Sequence, residues 1–438
     1  MDKKLQTEAV LKKDLTMLAA TALVVGMVIG SGIFMKPGKV IAAAGDSTMA
    51  LAAWILGGII TIAAGLTVAE LGAQIPKTGG LYAYLDEVYG KMWGYLFGWV
   101  QTLIYGPATT GALGLYFASL LLPFFNLPET WKLPAAVATV AFLGGVSALG
   151  TKYGGLIQSV ATAAKLVPIV LIAVFGLWKG NGQILNMPSG VGEAAGMGAA
   201  VLATLWAYDG WINVSFVAGE MKNPAKELPR VIIIGLAVVM VAYLSVNMAL
   251  LHLLPASEIA LLGSRAAGTA AGLLFGEMGG RLISVGILIS IFGALNGYIL
   301  TGARVPYAMA QKGLLPGSGF IGKIHGTSGA PANALLLGVI LAAAQMTLGD
   351  PDRLTDMAMF IVWVFYILAF VAIFILRKRN PNANRPYSVP WYPIVPGIAI
   401  AGSVYIAYSM LANNPGDALY AIGITLAGIP AYMFLKKK

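Results

Sequence analysis

The chain has 438 residues, 58% of them hydrophobic and only 11% charged, with 28 Lys and Arg against 18 Asp and Glu, two His and no Cys. Soluble globular chains carry roughly 25% charged residues, so an ordinary cytosolic enzyme is excluded, and the absence of cysteine excludes disulfides and thiol chemistry. A net charge of +10 in so apolar a chain points to anionic lipid and to a cytoplasmic bias of basic residues, not to nucleic acid. A helix crossing the hydrocarbon core needs about 20 mostly apolar residues. Twelve such segments follow in chain order, at approximately residues 14 to 43, 48 to 74, 91 to 121, 132 to 150, 154 to 178, 195 to 219, 232 to 254, 280 to 310, 331 to 349, 355 to 376, 390 to 412 and 416 to 435. They are called segments 1 to 12 below, and the short stretch from Gly80 to Gly90 is expected at the membrane interface. Segment 1 is too long for a signal peptide and runs into Lys36 and Lys39, so it is expected to stay uncleaved. No soluble domain is left over, and the fold class predicted is a single all-α integral membrane domain.

Segment 1 carries three glycines near mid-depth, in Gly26-Met27-Val28-Ile29-Gly30-Ser31-Gly32. A helix in lipid must satisfy its own backbone, so such a run is tolerated where freed N–H and C=O groups meet a ligand, protein or water. Gly26 and Gly30 also fit a packing face of small residues, the preferred reading for Gly26. In segment 5, Lys165 lies about a dozen residues from either end, too deep to reach the interface easily, and is expected to have a functional or structural-polar role and not to face lipid. Segment 6 holds Trp206-Ala207-Tyr208-Asp209-Gly210-Trp211, an acid and a glycine among aromatics, read either as a functional break or as a hydrogen-bonded carboxyl between helices. Tyr243 and Asn247 in segment 7 and Asn296 in segment 8 are further polar groups that could face a cavity or bond between helices.

Two interrupted segments five apart predict an inverted repeat, with repeat 1 at about 14–178, repeat 2 at about 195–378 and segments 11 and 12 at about 390–435 outside it. In such an arrangement half-helix N-termini offer N–H groups to an anion and unwound carbonyls accept from a cation, which suits a zwitterion such as an amino acid. With the N-terminus inside, 20 of the 28 basic residues fall on the cytoplasmic side and seven outside, so both termini are expected in the cytosol. Gly32 to Lys39 departs from a phosphate-binding loop in spacing and in Val40, and is rejected as one. His252 and His325 lack partners at metal-binding spacing, and Glu220 is expected in a helix-end ion pair. No metal and no cofactor are expected. Too few mid-span ionisable groups exist for an intramembrane enzyme, and no segment shows the polar stripe of a channel.

These motifs resemble the L-amino-acid transporter family of the amino acid-polyamine-organocation superfamily. The resemblance rests on Gly26 and Gly30-Ser31-Gly32-Ile33-Phe34, Pro76-Lys77-Thr78-Gly79-Gly80-Leu81-Tyr82, and Ala207-Tyr208 with Gly210-Trp211, Glu220, Asn223-Pro224 and Pro229. Ile104-Tyr105-Gly106-Pro107 and Gly150-Thr151-Lys152-Tyr153-Gly154-Gly155 are similar to stretches of bacterial serine/threonine exchangers within it. The resemblance implies a twelve-helix, 5+5 inverted-repeat fold with discontinuous segments 1 and 6. It implies that Gly30, Ser31, Gly32 and Ile33 present N–H groups to a substrate carboxylate and that the carbonyls of Trp206, Ala207 and Asp209 receive the ammonium. Trp206 would be an outer aromatic gate. Lys165 would stand in for a sodium ion between segments 1 and 8, with Tyr243 connecting the site to that region.

Animal relatives often carry Gly at Asp209 and Asn at Ile212, the latter a substrate contact, and many relatives have Phe where Trp206 stands. The bulk of Trp206 favours small neutral substrates, with alanine, serine, threonine and cysteine first. Animal members bond by disulfide to a single-pass partner, which a chain without cysteine cannot do. The expectation is a monomeric, sodium-independent exchanger of the plasma membrane, with proton-coupled uptake as the alternative.

Overall fold

The computed structural model describes residues 17–75, 80–149, 151–185, 196–221, 223–325 and 328–436. The motif residues Pro76 to Gly79, Gly150, the first residues of segment 1 and several of the basic residues counted above, among them Lys77 and Lys222, lie outside the described residues, as does the side chain of Glu220.

Among the described residues the elements are helical and there is no strand. Nine helices among the described residues are long and apolar enough to cross a membrane, or ten when the bent pair Val24–Met35 and Pro37–Ala44 is taken as one. The difference from twelve has a local cause. Segment 6 is divided at Asp209 and Gly210 into the helix Met197–Tyr208 and the tighter 3-10 stretch Trp211–Glu220, each short of a crossing. Segment 9 is a 15-residue helix, Ala332–Met346.

Helix starts follow from the capping residues. Asp46 accepts the Met49 N–H at 2.7 Å ahead of Ser47–Gln74, and Asp350 accepts the Asp352 N–H at 2.9 Å ahead of Pro351–Arg379. Pro351 at the first helical position suits the fixed φ of proline, and Arg377, Lys378 and Arg379 complete the last turn, where cations complement the helix dipole. In segment 8 the stretch Ala266–Gly302 is two helices meeting at a kink at Gly276 (φ 73), a backbone conformation that favours glycine, and the second begins close to the predicted residue 280.

Segment 3 contains a π-helical turn, Gln101–Tyr105, just ahead of Pro107. Such a turn loosens the ladder of backbone bonds, and the Gln345 side chain donates to the Leu103 carbonyl there at 2.7 Å.

Segments 2, 6 and 7 meet at an aromatic trio, Trp54, Tyr208 and Tyr243, with ring centroids 5.0 to 6.0 Å apart, in the range that favours edge-to-face contact. Segment 7 packs along segments 2 and 5, and segment 8 along segments 5 and 3. Gly80 to Gly90 forms the helix Leu81–Tyr89, which buries Leu81, Tyr84 and Leu85 and anchors to segment 10 through the Tyr89 hydroxyl on the Leu368 carbonyl at 2.7 Å. A buried acid also fixes the connection between segments 10 and 11. Glu70, fully buried, takes a bidentate pair from Arg377 at 2.7 and 3.0 Å and the Val389 N–H at 2.7 Å. Several donors on one carboxylate are what make a buried acid tolerable.

Candidate substrate site

The first helix ends at Val28, residues 29–31 are not helical, and the helix resumes at Gly32. Opposite it, Asp209 is extended (φ −70, ψ 159) and Gly210 has φ 106, where an L side chain would be strained. The two interruptions touch. A Cβ on Gly32 would lie 2.3 Å from the Cα of Ala207, so the absence of a side chain there sets how closely segments 1 and 6 approach. Gly26 instead faces the side chain of Thr162 in segment 5, in keeping with its packing role.

Between the breaks is a cavity of about 10 Å³, walled by Gly30, Ser31 and Gly32, by Trp206 and Asp209, and by Tyr298 of segment 8, among others. That is room for about one water, so admitting an amino acid requires the walls to move. Of the residues picked out from the sequence, Gly30, Ser31, Gly32, Trp206 and Asp209 are brought together on this cavity. Ile33, Ala207 and Ile212 are buried beside it but do not form its wall.

The backbone partners of the breaks are specific. The Tyr243 hydroxyl lies 2.6 Å from the Ala207 carbonyl and 2.8 Å from the Val28 carbonyl, and its single proton serves one at a time. It therefore joins the two interruptions directly. The fully buried Lys165 ammonium donates to the Gly26 carbonyl and, at 2.9 Å, to the Ile29 carbonyl. Both acceptors belong to the last turn of the helix that stops at Val28 or to the break just after it, where carbonyls lack intrahelical donors. The Ser290 hydroxyl in segment 8 lies 3.4 Å from the Gly30 carbonyl. The Trp206 carbonyl accepts the Asp209 N–H at 3.2 Å. Asn247 donates within its own helix to the Tyr243 carbonyl, and Asn296 is buried away from the cavity wall. His252 bonds the Gly182 carbonyl at 2.6 Å.

Two groups of side chains were missed in the sequence. The Asp209 carboxylate accepts from the Tyr105 hydroxyl and, at 2.9 Å, from Tyr298. Beyond Trp206 the fully buried Lys36 forms an ion pair with Asp352 and donates to the Thr355 hydroxyl at 2.8 Å, while Tyr116 also donates to Asp352. Lys36 Nζ stands 5.9 Å from the centre of the Trp206 ring, within cation–π range, and Lys39 pairs with Asp356 at 2.7 Å.

The amino acid permease family matches residues 15–428. The chain belongs to this family. The permease is 50% identical over 428 residues to the serine/threonine exchanger SteT of Bacillus subtilis, covering 98% of each chain. It is 31% identical to the mouse b(0,+)-type amino acid transporter 1 (96% of this chain, 88% of the relative) and 30% identical to the human cystine/glutamate transporter (98% and 86%). The resemblance to the L-amino-acid transporters read from the motifs therefore holds across the chain. The permease is a multi-pass membrane protein that transports amino acids, and its relatives are transporters, not enzymes.

Proposed function

We propose that the permease exchanges small neutral L-amino acids, serine and threonine first and alanine and cysteine with them, across the plasma membrane without sodium. The observation that carries this reading is Lys165, a fully buried cation on the Gly26 and Ile29 carbonyls. An ammonium fixed at a helix break fills the role a bound metal cation would otherwise serve, since both satisfy freed carbonyl oxygens. The 50% identity to a serine/threonine exchanger supports the substrate class.

In this reading the twelve segments form a 5+5 inverted repeat with both termini in the cytosol, segments 1 and 6 being the discontinuous pair. N–H groups from Gly30 to Ile33 take the substrate carboxylate, and the carbonyls of Trp206, Ala207 and Asp209 take its ammonium. Ile212 lies behind this wall. Trp206 closes the site from outside, and Tyr243 transmits the state of the site to the region of Lys165. Segments 1, 2, 6 and 7 rock against the rest. The protein acts as a monomer, and without cysteine it has no disulfide-linked partner.

The test is labelled serine uptake into liposomes containing the purified permease. Uptake should require unlabelled serine or threonine inside. Equal uptake into liposomes empty of amino acid would defeat exchange.

A further inference from the structure

The geometry points to the side-chain carboxylate of Asp209, and not only its backbone, as the group that reads the substrate's side chain and selects amino acids bearing a hydroxyl. This rests on the amino-acid reading of the cavity and deepens it.

Both tyrosine hydroxyls, Tyr105 from segment 3 and Tyr298 from segment 8, donate to the same carboxylate oxygen, Oδ2. The other oxygen, Oδ1, is buried and accepts no hydrogen bond, although Asp209 is only 4% exposed and forms part of the cavity wall. The Gly210 N–H is a further backbone donor toward the carboxylate, outside hydrogen-bond geometry to Oδ1. A buried oxygen without a donor is costly, and the cost is recovered when a ligand supplies the donor. The tyrosines hold the carboxylate in one orientation, so the free oxygen keeps a fixed place.

The rest of the wall narrows the donor. Segment 1 presents backbone at Gly30 and Gly32, which suits the substrate's own carboxylate, and Leu113 and Ala294 are apolar. The Trp206 ring is a further part of the wall. Once the walls have moved to admit an amino acid, a short side chain with one O–H, as in serine or threonine, supplies the missing donor, and its proton goes to Oδ1. A site built to pair a hydroxyl rejects the isostere lacking it much more strongly than an apolar pocket rejects an extra methyl group.

The test uses isosteric pairs. Displacement of labelled alanine from the purified full-length permease is measured for serine against 2-aminobutyrate and for threonine against valine. The wild-type protein should bind each hydroxyl member about tenfold or more tightly, as a hydrogen bond to a charged group allows. In Asp209→Gly and Asp209→Ala, whose extended backbone any residue adopts, the ratios should collapse to within about threefold for whichever variant elutes as a single folded species. Equal wild-type affinities within each pair would overturn the inference while leaving the amino-acid site standing, and so would ratios that persist in the variants. Displacement by none of the four amino acids would overturn the site reading itself, and this inference with it.

Discussion

Lys36 and Lys165 are both fully buried, one beyond the Trp206 ring and one behind the break in segment 1, yet their charges are met in different ways. Lys36 faces a carboxylate: Asp352 pairs with it, and Tyr116 and Thr355 complete the shell. Lys165 has backbone carbonyls as its partners. An ion pair compensates itself and ties whichever walls carry its members, here segments 1 and 10. A cation seated on carbonyls depends on the shape of the backbone that offers them. On the proposed reading, the first lysine holds segments 1 and 10 together and the second couples occupancy to conformation.

The comparison breaks most directly at Lys165. Lys165→Ala leaves the Gly26 and Ile29 carbonyls without their donor and should lower serine exchange per folded molecule by more than about tenfold. Initial rates normalised to monodisperse reconstituted protein check this, and rates equal to the parent would remove Lys165 from the mechanism.

Asp352→Ala should act on stability. It strands the fully buried Lys36 charge, but Asp352 is itself 34% exposed, so the cost should be about 1–3 kcal/mol, below that of a wholly buried pair, and Lys36→Met with Asp352→Leu should recover most of that. Thermal unfolding of the detergent-purified variants measures both. A double variant no more stable than the single one would mean that Lys36 and Asp352 are not an interdependent pair.

Tyr243→Phe keeps the ring in the aromatic trio and removes the proton shared between the Ala207 and Val28 carbonyls. Exchange should fall several-fold, with a change in unfolding free energy of about 1 kcal/mol, the worth of one hydrogen bond. An unchanged exchange rate would show that the link between the two breaks is structural only.

The smallest effect is expected at Lys39, which is 27% exposed and paired with Asp356. Lys39→Gln should change stability by less than about 1 kcal/mol, as for other partly solvated pairs. A loss as large as that of Asp352→Ala would make Lys39, and not Lys36, the main tie between segments 1 and 10.

What could be read from the sequence was what breaks the rules of a bilayer. Glycines at mid-depth, Asp209 beside Gly210, and Lys165 stand out because hydrocarbon penalises them locally, and the break at 29–31, the turn at Gly210 and the buried ammonium lie at those residues. The pairings across the fold had no such signal. Lys36 and Asp352 are 316 residues apart, Glu70 and Arg377 are 307 apart, and Tyr105 lies 104 residues before Asp209. At segment ends such charges look like ordinary solvated flanks, and tyrosines in apolar runs look like packing. Helix lengths were also overestimated where a break shortens the element, as in segment 6, since an apolar run continues through residues whose backbone is not helical. In segment 8 the expected start near residue 280 lies about one turn after the kink at Gly276, beyond which Glu277 and Arg281 are exposed and paired at 3.0 Å.

On the proposed reading, Lys165 is a fixed internal cation that makes an external one unnecessary. Its most direct test is the rate of serine exchange by the wild-type permease in liposomes as sodium is varied from zero to about the physiological ionic strength of 0.15 M, with and without an inward proton gradient. One rate is expected across the whole series. A rate that climbs with sodium, or net uptake driven by the proton gradient into liposomes without internal amino acid, would contradict it.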